Sequence, residues 1–226
     1  MTKVDAKFAS DSRGAKTWYW FGRNLCVLFC RVYLRMSVEG LENIPASGPF
    51  VLAPVHRSNM DTPIAAVCTK RRMRYMGKDS LWKTKAFGWL LSVLGGFPVS
   101  RDIADREALE RCVEVLQGGE PLVLFPEGER KSGPLVEPLK DGAVYIAAKA
   151  QVPIVPVGIG GSEGVMPKGS KMIFPKKVFV VVGAPIAPPV LGEAGRLSKP
   201  VRRELSEQLH SELQRLFDIA QAKADR

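Results

Sequence analysis

The stretch Pro49-Phe50-Val51-Leu52-Ala53-Pro54-Val55-His56-Arg57-Ser58-Asn59-Met60-Asp61 decides how the chain folds. Its opening is a short apolar run that reads as a buried strand ending at His56. From Ser58 to Lys70 the apolar residues Ile64, Ala65, Val67 and Cys68 fall at helical spacing. A second run, Leu122-Val123-Leu124-Phe125, reads as another buried strand that delivers Pro126-Glu127-Gly128 as its turn. Strands that hand over to helices are the mark of an α/β layer architecture.

Outward from these two runs the alternation continues. Met73 to Met76 predicts a brief strand, and residues 101–117, with Ile103, Leu109, Val113 and Leu116, an amphipathic helix closed by Gly118-Gly119. Residues 141–150 read as a helix, and 154–157 and 178–182 as strands. Residues 198–226 have a capping residue, a proline in the first turn, and Val201, Leu205, Leu209, Leu213, Leu216 and Phe217 in one stripe. The expectation is one α/β domain with a mixed, largely parallel sheet flanked by helices, plus an N-terminal membrane-interface helix and a C-terminal amphipathic helix. Boundaries fall at 1–40 for the N-terminal segment, 41–190 for the α/β domain, and 191–226 for a linker and final helix. Open α/β sheets place ligands where strands end, and both motifs lie there.

Composition sets independent bounds. A chain of 226 residues, 46% of them apolar, buries one substantial core. A formal charge of +10 implies an anionic partner: nucleic acid, a negative lipid surface, or a phosphorylated substrate. The clusters Lys70-Arg71-Arg72, Lys168/Lys171 and Lys176-Lys177 lack the patterns of RNA-recognition or zinc-finger modules, and a solvated basic surface is the default for each. Cys26, Cys30, Cys68 and Cys112 make neither a Cys-x-x-Cys pair nor a disulfide framework, which favours a reducing compartment and the cytosolic side. They read as packing residues, and no metal is expected.

The first apolar stretch begins at Trp18, too late and with the wrong flanks for a secretory signal. Arg23, Asn24 and Arg31 interrupt residues 17–34 before the ~20 apolar residues that a spanning helix needs. Aromatics beside Lys16 and Arg23 suit a headgroup boundary, so the segment is expected to lie on a bilayer; the alternative is a helix packed into the core. Residues 86–97 are a second apolar segment, either core or an addition to the same surface.

The chain has two histidines, and His210 sits inside the last amphipathic helix, where a structural or solvated role is the expectation. His56 is the candidate general base, with Asp61 able to hold the far ring nitrogen and fix the tautomer. Ser58-x-x-Asp61 also fits a capping box at a helix start, and both roles are compatible.

The runs FVLAPVHRSNMD, GGFPVSR, LVLFPEGERK and VPIVPVGI follow one another in this order. The series resembles the glycerolipid acyltransferase family typified by lysophosphatidic acid acyltransferases, over Leu41 to Pro185. It departs from the family pattern at Val55, where an asparagine is usual, at Pro98, and at Glu129-Arg130-Lys131 in place of Thr-Arg-Ser. The resemblance implies transfer of a fatty acyl group from a thioester, acyl-CoA or acyl carrier protein, to the hydroxyl of lysophosphatidic acid at a membrane surface rich in anionic lipid. No cofactor and no nucleic acid are implied, and the site is peripheral or monotopic on the cytoplasmic face of the cell membrane. His56 and Asp61 would be catalytic, and Arg101, Glu127, Gly128 and Arg130 would bind the glycerol phosphate. In that role Glu127 orders Arg130 or holds a glycerol hydroxyl, and Gly128 lets backbone approach the ligand. Lys78 matches a family lysine near the acyl-phosphate site. Other acceptors with the same chemistry are glycerol 3-phosphate, another lysophospholipid or a glycolipid. The non-enzymatic alternative is a lipid-binding protein.

Overall fold

A computed structural model describes residues 13–99, 105–191 and 197–226. Its strands are β1 (Ser37–Glu39), β2 (Val51–Pro54), β3 (Arg74–Lys78), β4 (Gly96–Val99), β5 (Leu122–Val123), β6 (Ile154–Gly160) and β7 (Phe179–Val182). The helices are α1 (Arg13–Val32), α2 (Asp61–Ala65), α3 (Lys85–Val93), α4 (Asp105–Gln117), α5 (Gly142–Ala150), α6 (Ser162–Val165) and α7 (Lys199–Ala224). Among the described residues seven strands form one sheet in the order β1-β7-β6-β2-β5-β3-β4. β6, β2, β5, β3 and β4 run parallel, whereas β7 pairs antiparallel with β6 and carries β1 beside it in its own direction. The sheet is therefore mixed and largely parallel, as the alternation of runs predicts.

Every residue of β2 and β6 is buried, because central strands covered by helices on both faces have no wet side. That is why their sequences are continuous apolar runs. β5 lies against β2 with Leu52 opposite Val123. The turns after these two neighbouring parallel strands thus start side by side.

The last helix packs on β6 by an unusually close approach. A Cβ on Gly158 would stand 2.3 Å from the Leu216 carbonyl carbon, and one on Gly160 2.2 Å from that of Ala220. Two glycines at alternate positions share one face of a strand, and here they let helix backbone rest on strand backbone. Leu205, Leu209, Leu213, Leu216 and Phe217 of the expected stripe are buried and Ala220 joins them, whereas Val201 in the first turn is exposed; the Ser198 side chain accepts from the Val201 amide as the N-cap.

Three elements differ from expectation. The run 86–97 divides into α3 and β4, because Gly95 takes φ +89° and a Cβ there would lie 2.2 Å from the Met73 carbonyl oxygen. Phe97 then joins the core while Phe87, Trp89 and Leu90 stay exposed, so the run is core at one end and surface at the other. The helix after Ser58 is short, Asp61–Ala65, and continues as a 3-10 turn over Ala66–Cys68. β1, inside the segment set apart as 1–40, is an edge strand of the sheet. Only residues 105–117 of the expected 101–117 helix lie among the described residues.

Among the described residues no helix is long and apolar enough to cross a membrane. α1 buries Tyr19, Arg23 and Cys30 and exposes Trp18, Phe21, Leu25, Leu28 and Val32. Arg23 is accommodated because its Nε donates to the Thr69 carbonyl at 2.8 Å.

Candidate active site

His56 begins where β2 ends. Its backbone N–H donates to Glu127 Oε1 at 3.0 Å, and its carbonyl accepts from the Lys131 amide at 2.9 Å. The turn after β5 is thereby fastened to the histidine on both sides of its Cα. The imidazole stacks on Phe125, with ring centroids 4.0 Å apart, and 16% of the side chain remains accessible.

Asp61 is the first residue of α2 and is fully buried. Its Oδ2 lies 3.0 Å from His56 Nδ1 and accepts the backbone N–H groups of Arg57 and Ser58, each at 2.6 Å. A carboxylate oxygen surrounded by donors is an acceptor, so the ring proton sits on Nδ1 and Nε2 carries the free lone pair. The capping box expected from Ser58 and Asp61 does not form, because α2 starts at Asp61 with Met60 as its N-cap and no side-chain cap bond; Ser58 Oγ accepts the Met60 amide and donates to the Met166 carbonyl, each at 3.3 Å. Asp61 therefore orders the turn before α2 and the histidine with one oxygen.

Glu127 is where the structure corrects the sequence reading. It is 2% exposed, and its two oxygens take Arg57 Nη1 at 2.8 Å each, the His56 amide, and the Glu137 amide at 3.2 Å. It orders an arginine, but that arginine is Arg57 and not Arg130, and a carboxylate so fully engaged has no face for a glycerol hydroxyl. Arg57, which the sequence reading passed over, is also 2% exposed. Its remaining donors reach the carbonyls of Leu135 (2.8 Å) and Gly133 (3.3 Å), and its guanidinium lies over the Phe217 ring of α7 at 4.9 Å.

Gly128 has φ +74°, which the turn requires, and the Lys140 side chain lies within 2.6 Å of where a Cβ would be. Lys140 is a second residue that sequence reasoning missed. The signal available was a lysine immediately before the Asp141 that precedes a helix. Arg130 is half-buried and makes no hydrogen bond or ion pair among the described residues, so its guanidinium is open to an anion. Glu129 is exposed, and Lys131 Nζ donates to it at 2.9 Å, which lowers the carboxyl below its ordinary range through that bond. Arg101 lies outside the described residues; for Lys78 the backbone is described, as the last residue of β3. His210 has the structural role expected, with Nε2 2.9 Å from the Val136 carbonyl. Among the described residues no three of His, Cys, Asp and Glu gather as metal ligands.

Among the described residues the site thus brings together a buried carboxylate, an imidazole held by it, and an arginine without a hydrogen bond or ion pair on the adjoining turn. The profile of the family described as Acyltransferase matches residues 35–160, and the chain belongs to that family. It is 32% identical over 153 residues to the 1-acyl-sn-glycerol-3-phosphate acyltransferase of Bacillus subtilis, covering 67% of this chain and 73% of that one. It is also 32% identical over 158 residues to the chloroplastic 1-acyl-sn-glycerol-3-phosphate acyltransferase BAT2 of Brassica napus, where the match takes in 68% of this chain but 46% of the relative. The crystal structure of the 1-acyl-sn-glycerophosphate (LPA) acyltransferase PlsC from Thermotoga maritima superposes with a TM-score of 0.69 at 28% identity, covering 92% of this chain and 83% of that one.

Proposed function

We propose that the protein transfers a fatty acyl group from acyl-CoA to the free hydroxyl of lysophosphatidic acid, giving phosphatidic acid. The observation that carries this reading is the 3.0 Å contact of His56 Nδ1 with the buried Asp61, on a turn adjoining that of Arg130, which has no partner among the described residues. The names of the relatives supply the acceptor. In the reaction His56 Nε2 takes the proton of the acceptor hydroxyl as its oxygen bonds to the thioester carbonyl carbon. Asp61 stabilises the imidazolium that forms. As the tetrahedral intermediate collapses, the C–S bond breaks and the imidazolium returns the proton to the departing thiolate. The substrate hydroxyl is the nucleophile, so no acyl-enzyme forms, and the thioester is a co-substrate that needs no cofactor beside it. Arg130, with Arg101, holds the phosphate of the acceptor.

The same reading puts the enzyme on a bilayer as a peripheral or monotopic protein. The exposed stripe of α1 and its contact with Trp89 of α3, ring centroids 6.3 Å from Trp18, support it, and four free cysteines suit the cytoplasmic side.

The test is release of free thiol from palmitoyl-CoA by the purified protein in detergent, with and without lysophosphatidic acid, for wild type and His56→Ala. Release that needs the acceptor and disappears in the variant establishes the reaction and its base. Release indifferent to His56, or none with this acceptor, refutes the assignment.

A further inference from the structure

The connection between α6 and β7 carries a feature that the reaction does not use. From Pro167 to Lys177 the sequence holds Lys168, Lys171, Lys176 and Lys177 and no acidic residue, with Met172-Ile173-Phe174 at the centre. Met172 is 67% exposed and Phe174 39%. The backbone of this segment is fixed: the Phe174 amide donates to the Val165 carbonyl (2.8 Å), the Ser170 amide to Pro167 (2.9 Å), and the Met172 amide to Ser170 Oγ (3.0 Å). Apolar side chains held out by an ordered backbone mark a contact surface.

The position of the segment tells what covers it. Trp18, Gly22, Phe29 and Tyr33 fall on one stripe of α1 by their spacing of four and seven residues. Near its start that stripe meets α3, through Trp18 with Trp89 and Gly22 against Leu94. Near its end Tyr33 Oη donates to the Ile173 carbonyl at 3.0 Å, and beyond it Arg35 Nη2 to that of Pro175 at 3.4 Å. α3 and the 167–177 segment thus border the same flank of the exposed stripe formed by Phe21, Leu25, Leu28 and Val32. The segment also begins next to the site, where Met166 accepts from Ser58 of the catalytic motif.

We infer that residues 167–177 are a second membrane contact, in which Met172 and Phe174 enter the headgroup boundary and the lysines engage anionic phospholipid headgroups. Apolar residues between cations suit that boundary, and the charge is opposite to that of the surface. The inference deepens the proposed action on a lipid: α1 with α3 fixes one side of the molecule to the bilayer, and this segment fixes the side that leads to His56, so the opening of the site is turned toward a lipid-borne acceptor.

The test is co-sedimentation with vesicles of phosphatidylcholine alone or mixed with phosphatidylglycerol, beside a thermal-unfolding control. The joint substitution Lys171→Gln, Lys176→Gln and Lys177→Gln is expected to weaken partitioning to the anionic vesicles about a hundredfold and to leave partitioning to phosphatidylcholine unchanged. Met172→Ser with Phe174→Ser is expected to weaken both. Wild-type binding that ignores phosphatidylglycerol, or variants that partition like wild type, overturn the inference. So does binding of the lysine cluster to a purified acidic acyl carrier protein in place of vesicles. Turnover of a short-chain lysophosphatidate dissolved as monomers is expected to survive in both variants. If wild type itself shows no such turnover the activity fails, while the vesicle result still decides the contact.

Discussion

Arg57 Nη1 stands 2.8 Å from both carboxylate oxygens of Glu127, with neither side chain more than 1% accessible. The pair joins the turn after β2 to the turn after β5, and Glu127 passes the constraint to the His56 amide. The backbone of the base is therefore set by the second motif, while its ring is set by Asp61. α7 adds to the same unit: Gln214 accepts from the Val136 amide at 2.7 Å and donates to the Pro134 carbonyl at 3.1 Å, fixing the loop that Arg57 reaches from the other side.

Glu127→Gln leaves the Arg57 charge buried without its partner, a change that costs about 3–5 kcal/mol in comparable pairs. A lowered unfolding midpoint is expected, with a fall in kcat and little change in the KM for the acceptor. Arg57→Lys keeps the charge but cannot serve the carbonyls of Gly133 and Leu135 together, and it is expected to fall in the same way. A Glu127→Gln protein as stable as wild type, with only the acceptor KM raised, would restore the ligand-holding role that the structure removes from Glu127.

Asp61→Asn keeps the size of the side chain and an oxygen that can accept from His56 Nδ1–H, but it removes the negative charge that stabilises the imidazolium. By analogy with orienting carboxylates elsewhere, kcat is expected to fall about 10³- to 10⁴-fold. Calorimetric titration with a non-hydrolysable thioester analogue should show donor affinity unchanged. Retained turnover would remove Asp61 from the mechanism.

What the sequence disclosed and what it hid follow from range. β2 and β5 were legible because a strand buried on both faces must be apolar throughout, and His56 and Asp61 were legible because their partnership is local. Arg57 was not, since a charged residue reads as solvated until a buried carboxylate is shown beside it, and Glu127 comes from a different strand turn. Lys140 escaped for the same reason, as its contact is with Gly128. The run 86–97 was ambiguous because a short apolar segment satisfies helix and strand alike, and only Gly95, held against the Met73 carbonyl, divides it. Gly158 and Gly160 read as ordinary strand residues until α7 is laid on them.

Gly158→Ala sets a new methyl group against the backbone of Leu216, 2.3 Å from both its carbonyl carbon and oxygen. Neither partner is a flexible side chain, so α7 must shift or undock. A loss of about 3 kcal/mol or more is expected from urea unfolding, at the upper end of overpacking costs. Activity should fall with it, because α7 carries Phe217 and Gln214 to the Arg57 loop. Gly14→Ala, where nothing lies within 4 Å of the added carbon and φ is not positive, serves as the control that adds a methyl group without a clash.

Alkaline pH should unfold the protein through its buried thiols. Desolvation pushes Cys30, Cys68 and Cys112 up to about 12 from 9.0, and it also raises Tyr19 and Tyr75. As pH rises past 9.0 the unfolded chain gives up thiol protons that the folded chain keeps, so the unfolded state binds fewer protons and stability falls. Below that pH the contribution is fully present, and it is lost progressively as the pH climbs to about 12. Each thiol removes about 1.4 kcal/mol per pH unit within the window, and three together about 4. Urea midpoints measured under reducing conditions from about pH 8 to about pH 11 should be level at first and then drop, and Cys68→Ala should make the drop shallower by about a third. A midpoint that stays level across the window would mean that these thiols titrate in the folded protein as they do in water.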